Sequence, residues 1–169
     1  KMAMDSLGIV GHAYRDGECL DATNDDWYCY YLQGALDKDI IPKEMIENCN
    51  VTKVTKTLAE ATDDKKAVTT DVNVYTGKFD GDKPITREEM AAIAVRCKNY
   101  KMRRLTDWDN ERRYPIFSFK DSDEIDEKYI SDVVEAYNLN YIDGMEDGRF
   151  APKENLTRAQ AAVVMNNLK

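Results

Sequence analysis

Two stretches of the chain, "PITREEMAAIAVRC" (84–97) and "NLTRAQAAVVMNNL" (155–168), carry one physical plan written in different residues. In the first, Thr86 is followed three residues on by Glu89; in the second, Thr157 is followed by Gln160. This is the capping-box pattern, in which the Thr hydroxyl accepts from the N3 amide and the Glu or Gln side chain reaches back to the cap amide. Ile85 and Leu156 precede the caps, and Met90 and Ala161 follow them by four, at hydrophobic-staple positions. Counting on from each Thr, offsets of 4, 7, 8 and 11 pick out Met90, Ile93, Ala94 and Cys97, then Ala161, Val164, Met165 and Leu168. Both runs predict a helix with an apolar face of the same phase.

The likeness continues upstream. "DDWYCYYLQGALDKDIIP" (25–42) and "DEKYISDVVEAYNLNYIDG" (126–144) align at a shift of 101, pairing Tyr28 with Tyr129, Leu32 with Val133, Ala35 with Ala136 and Ile41 with Ile142. Each predicts an amphipathic helix, with acids before it and a stop near Pro42 or Gly144. The capping threonines align at a shift of only 71, so the first copy carries about 30 extra residues between its helices, within 43–78. There, "VTKVT" (51–55) and "AVTTDVNVY" (67–75) alternate as strands do and can form a small hairpin; a short helix over Val54–Ala61 is the competing reading.

These residues resemble the S-layer homology family. "FKDSDEIDEKYISDVVEAYNLNYIDGMEDGRFAPKENLTRAQAAVVMNNL" (119–168) follows that family's order: an opening aromatic–x–Asp, a helix, a Gly–x–x–x–Gly–x–Phe–x–Pro loop, a Thr–Arg–Ala–Glu-like start and a second helix. Phe119, Asp121, Gly144, Gly148, Phe150, Pro152 and Leu156–Thr157–Arg158–Ala159–Gln160 stand in those places, Gln160 replacing the usual Glu. Residues 20–98 are similar to a diverged repeat, keeping Asp21, Trp27, Gly77–x–Phe79 and Ile85–Thr86–Arg87–Glu88–Glu89. The resemblance implies a mostly α fold of helix–loop–helix repeats in a pseudo-three-fold helical bundle. It divides the chain into an N-terminal segment or partial repeat (1–19), a repeat with an insertion (20–98), a linker (99–116) and a second repeat (117–169).

It also implies a function: non-covalent anchoring of an extracellular protein or assembly to the bacterial cell wall. The expected partner is an acidic secondary cell-wall polymer, commonly pyruvylated in that family, or a peptidoglycan-linked glycan. Carried over residue by residue, the glycan-binding positions are Arg87, Arg158, Asp21, Asp121, Trp27 and Gly144, with Thr86, Glu89, Thr157 and Gln160 as structural caps. A guanidinium takes a carboxylate in a bidentate fork, and a helix start favours an anion. Each residue also has a plain structural role open to it. The arginines can pair with neighbouring acids, Asp21 and Asp121 can form turns, and Trp27 can pack between repeats. The rival reading is a protein-interaction or structural module, self-associating or contacting other proteins, that no longer binds glycan.

Composition narrows the alternatives. The 169 residues carry a formal net charge of −8 at 43% hydrophobic content, which speaks against nucleic acid as partner and against a disordered chain. The basic cluster Lys101–Arg104 with Arg112 and Arg113 is interrupted by acids and reads as a solvated linker. No apolar run approaches membrane-spanning length. The chain opens at Lys1 rather than Met, as expected of a processed form or a fragment. His12 is the single histidine and no nucleotide fingerprint is present, so an enzyme has little to work with and no cofactor is implied. Cys19, Cys29, Cys49 and Cys97 lack zinc spacing. They leave open two disulfides, one that tethers the insertion through Cys49, or none, with Cys97 a buried thiol. "DKDIIPKE" and "DSDEIDEKY" lack the register of a calcium loop, and Asn50–Val51–Thr52 and Asn155–Leu156–Thr157 match glycosylation sequons.

Overall fold

The structure, a computed structural model, describes residues 20–23, 25–59, 66–103 and 119–168. The N-terminal segment with His12 and Cys19, and Arg104, Arg112 and Arg113 of the basic cluster, lie outside the described residues. In chain order come α1 (Cys29–Asp37), β1 (Glu47–Ala59), β2 (Val68–Lys78), α2 (Arg87–Arg103), α3 (Ile130–Asn138) and α4 (Arg158–Asn167). Short 3-10 turns at Lys43–Met45, Ser122–Glu124 and Glu127–Tyr129 lead into β1 and α3. α2 continues to Arg103, into the segment that the sequence assigns to a linker.

The expectation of a mostly α pseudo-three-fold bundle is overturned: the described residues form a mixed α/β structure, four helices with a two-stranded antiparallel sheet. The insertion is the reason. Its β-branched, alternating residues pair over far more than a small turn, with Val51 opposite Tyr75, Val54 opposite Val72 and Thr57 opposite Thr69. Residues 54–59, the place of the alternative helix, belong to β1. Among the described residues the hairpin is anchored at its root, where Ile46 and Tyr75 pack on Ala22, Cys29, Leu32 and Leu36, with Cys49 and Val51 at the edge. Gln33 Nε2 donates to the Asn73 carbonyl (3.2 Å) and Tyr75 OH to Asp37 Oδ1 (3.3 Å). Further out the ribbon shows both faces to water, and Val54 and Val68 are exposed.

Outside the hairpin, the two copies share their backbone in detail. α1 ends with the Ile40 amide donating to the Ala35 carbonyl, and α3 with the Tyr141 amide donating to the Ala136 carbonyl. The residue before each of those amides is left-handed, Asp39 at φ 56° and Asn140 at φ 54°. This is the Schellman closure, and Asp and Asn tolerate it better than most side chains. Both first helices therefore stop several residues before the expected Pro42 and Gly144. Positive φ recurs at Gly77 and Gly148, then at Asp80 and Ala151, each pair 71 apart.

An acid clamps each second loop. Asp21 accepts from the amides of Phe79 (2.7 Å) and Asp80 (3.0 Å). Asp121 accepts from those of Phe150 and Ala151, both at 2.8 Å. The clamp holds the left-handed residue in place, which for Ala151 offsets a conformation that an L side chain disfavours.

The main core lies between the copies. Met90, Ala91, Ala92, Ala94 and Val95 of α2 pack with Phe119, Ile125, Tyr129, Val133, Ala136, Ile142, Phe150, Val164 and Met165. A smaller cluster of Ala35, Ile40 and Cys97 closes α2 against α1. Cys29, Cys49 and Cys97 are free thiols, so no disulfide tethers the insertion through Cys49.

Two measurements test this packing. Asp121→Ala strands two buried amides and is expected to cost about 2–4 kcal/mol of stability in urea unfolding. Burial pushes the Cys97 thiol up to about 12. In the folded protein at pH 8, Cys97 is expected to resist iodoacetamide while half-buried Cys49 reacts, the labelled peptides being counted by mass spectrometry.

Candidate functional site

The start of α2 is built by its capping box. Thr86 Oγ1 accepts from the Glu89 amide (3.3 Å), and Glu89 Oε2 accepts from the Thr86 amide (2.9 Å). Thr157 and Gln160 repeat the arrangement at α4, at 3.2 and 2.9 Å. The following residue in each copy is the arginine of interest, and here the copies part. Arg87 is 5% exposed; Arg158 is exposed to solvent.

Arg87 joins the copies. Its Nε donates to the Phe150 carbonyl (2.7 Å) and its Nη2 to the Asp143 carbonyl (2.6 Å), while the guanidinium lies 5.1 Å from the centroid of the Phe150 ring. The backbone runs alongside as a short antiparallel bridge between Thr86 and Asn155. The Arg87 amide donates to Glu154, the Glu88 amide to Pro152 and the Leu156 amide to Ile85. Burial holds the Arg87 pKa below its usual value, and the acids Glu154, Asp121 and Asp143 offset part of that effect. That buried charge is tolerable because its donors meet carbonyls within an acidic surround.

Glu88 completes the joint. Its carboxylate, buried, accepts from Lys153 Nζ (2.7 Å) and from the Asp126 amide (3.1 Å). Lys153 Nζ also meets Asp126 Oδ1 at 2.6 Å. The Lys153 hydrogen bond, against a smaller desolvation effect, holds the Asp126 carboxyl below its usual range. Sequence reasoning missed Glu88 and Lys153. The available signal is that Glu88 is charged where the other copy has Ala159, and Ala91–Ala92 widens the apolar face of α2 beyond one stripe.

The remaining expected residues fall in separate places. Asp121 is buried in its clamp, close to the Arg87 joint. Asp21 is exposed in the equivalent clamp. Desolvation pushes its carboxyl up, but the amides of Phe79 and Asp80 outweigh this and leave it below the usual range. Trp27 is 70% exposed and meets Tyr28 edge to face, with Tyr28 in turn against Phe79. Gly144 abuts Phe119, and a Cβ there would stand 2.7 Å from that ring. A shallow cleft of about 90 Å³ lies beside the first copy's loop, lined by Ile41, Met45, Phe79, Gly81, Ile85 and Glu89 among others. Of the expected site residues only Glu89 reaches it. Thus the structure brings Arg87 and Asp121 together and leaves Arg158, Trp27 and Asp21 on the surface.

Residues 118–162 match the S-layer homology domain. The chain carries an S-layer homology domain. Proteins with this domain are associated with the cell surface, and the domain is known for anchoring them by binding cell-wall polymers.

The chain is 37% identical over 58% of its length to an endoglucanase of Bacillus sp. (strain KSM-635). It is 30% identical over 99% of its length to an amylopullulanase of Thermoanaerobacterium thermosulfurigenes, and equally to exoglucanase XynX of Acetivibrio thermocellus. The aligned region spans 10%, 7% and 12% of these proteins respectively, so the activities in their names belong to much longer chains. No solved structure matches the chain. Among the described residues no helix is long and apolar enough to cross a membrane, and no cluster of His, Cys, Asp and Glu could hold a metal ion.

Arg87→Ala is expected to destabilise the fold by about 3 kcal/mol, since it strands two carbonyls and the surrounding acids. Arg158→Ala is expected to change stability by less than about 0.5 kcal/mol, so paired thermal unfolding curves of the two variants distinguish a joint from a surface group.

Proposed function

We propose that the chain is a non-catalytic wall anchor that binds an acidic cell-wall polysaccharide, pyruvylated or otherwise carboxylated, and so holds an extracellular protein on the bacterial surface. Residues 20–98 act in it as a diverged first repeat. The observation that carries the reading is the match of residues 118–162 to the S-layer homology domain, which includes the exposed Arg158 at a capped helix start.

The chemistry supports that use. Arg158 has no side-chain partner among the described residues and stands beside the free amides of the first turn of α4. A ligand carboxylate there meets a planar pair of donors and the positive helix end. Exposed Trp27 offers a flat apolar face of the kind that lies against a sugar ring. Asp21, Asp121 and Gly144 serve the same function by fixing the loops. Arg87 contributes through the joint, where its Nε and Nη2 donate to carbonyls within the protein. The net charge of −8 is no obstacle, because recognition depends on local potential.

A second reading has its own observation. The face of α4 around Val163, 58% exposed, is apolar and open, which suits a protein partner in a surface assembly.

Co-sedimentation with purified wall polymer tests the first reading. Arg158→Ala is expected to weaken binding about tenfold or more, and chemical removal of the polymer's acidic groups to do the same to the unaltered protein. Unchanged binding by Arg158→Ala refutes the assignment of the ligand contact.

A further inference from the structure

The tyrosine just before each copy's first helix keeps different company in the two copies. In the second copy the ammonium of Lys128 lies over the Tyr129 ring, 4.8 Å from its centroid. A second ammonium, Lys153 Nζ, is held between Asp126 (2.6 Å) and Glu88 (2.7 Å), two of the acids near Tyr129. Tyr28 is the counterpart of Tyr129, and around it the residues at both cation positions have changed. Trp27 stands in the place of Lys128, and Asp82 in that of Lys153. Acids remain close by. Burial, together with Asp26, Asp21, Asp82 and Asp80, holds the Tyr28 hydroxyl above its usual range. Lys78 answers Asp80 at 3.5 Å and Lys83 follows Asp82, which leaves this corner four acids against two cations.

The corner is firmly built. Gly81 lies so close to the end of the Tyr28 ring that no Cβ fits there. Phe79 packs against Tyr28 with 6.2 Å between centroids, and Asp21 clamps the amides of Phe79 and Asp80. Asp26 is held by the amide (2.8 Å) and hydroxyl (3.0 Å) of Thr23, which both donate to its Oδ2. On this base Trp27 meets Tyr28 edge to face at 5.8 Å and is 70% exposed. A neighbouring repeat does not close these positions. The counterparts Lys128 and Lys153 are exposed in the second copy, where α2 of the first is seated beside them. An indole in that position offers a flat face both to the C–H side of a sugar ring and to a cation.

We propose that this corner binds a sugar carrying a free amine, a de-N-acetylated hexosamine of the wall glycan, whose ring lies on Trp27 and whose ammonium meets Asp26 and Asp82. The ligand then supplies the kind of cation that Lys128 and Lys153 supply in the second copy. An N-acetylated sugar presents the same ring but a neutral amide, so the acids favour the amine form. The choice of a sugar over a basic peptide rests on the anchor reading above, in which the partner is a glycan, and on the breadth of indole left open. The corner adds a subsite for positive charge to that reading and is separate from Arg158, which serves negative charge.

The test is titration calorimetry of the whole chain at about pH 6, where an amino-sugar amine carries its proton, with a glucosamine tetramer and an N-acetylglucosamine tetramer as probes. The amine form is expected to bind about tenfold tighter or more. Trp27→Ala and Asp82→Asn each weaken it about fivefold, and Asp82→Lys, which places the second copy's residue in the first, weakens it further. All three positions are on the surface, so the variants are expected to unfold thermally as the unaltered protein does. Equal affinity for the two tetramers, or no binding of either, overturns the proposal. So does amine binding that Trp27→Ala and Asp82→Lys leave intact. A tetralysine peptide that binds as tightly as the glucosamine tetramer overturns the choice of a sugar. Co-sedimentation with acidic wall polymer separates the corner from the anchor contact. Asp82→Lys is expected to bind that polymer at the unaltered level, and Arg158→Ala to bind the glucosamine tetramer at the unaltered level. Loss of polymer binding alone would count against the acidic-polymer reading, and loss of tetramer binding alone against the corner.

Discussion

A single buried guanidinium holds the two copies in register. Arg87 sits at the first turn of α2, yet its Nε and Nη2 donate to the carbonyls of Phe150 and Asp143, in the other copy. An arginine in that place needs fixed acceptors, because an unmet charge at that depth costs several kcal/mol. The acceptors are fixed because Asp121 grips the amides of Phe150 and Ala151 from behind. Acid clamp, left-handed loop residue and buried arginine are therefore one device, and each part makes the next affordable.

The device explains how a shallow, acidic chain supports a core at all. α2 is shared: one face closes on α1 through Cys97, the other enters the main core through Ala91, Ala92 and Val95. Small residues let its backbone approach α3 closely, and Glu88 with Lys153 seals the polar edge where the helix begins. Among the described residues the hairpin takes no part in this joint. It leans on α1 at its root and extends its polar ribbon into solvent, so it adds surface to the first copy without disturbing the contact between copies.

The same device separates structural from functional arginine. Identical local sequence, Thr–Arg after an apolar residue, yields an enclosed cation at 87 and a solvent-facing one at 158. The Thr–Arg start is the same in both; what differs is the residue that follows, Glu88 against Ala159, and whether a neighbouring loop stands over the helix start. An anchor that reads acidic sugar has use for the second kind, and a stack of repeats has use for the first.

Local physics was legible in the sequence. The capping pairs at Thr86 and Thr157, the phase of the buried stripe, the existence of an insertion near 43–78 and its alternating pattern all depend on neighbours a few residues apart. The sites where α1 and α3 end were not legible, because the left-handed stop falls on Asp39 and Asn140 rather than on the Pro and Gly that punctuate the sequence. Nor was the mixed α/β character: alternation marks a strand, but only pairing across 47–78 sets how long the hairpin runs. The burial of Arg87 and Glu88 against the exposure of Arg158 and Ala159 was decided by tertiary structure, and the change from Glu88 to Ala159 marks the difference in sequence without setting it. Each depends on a carbonyl or an ammonium more than 50 residues away, brought to it by the packing of α2 on the second copy.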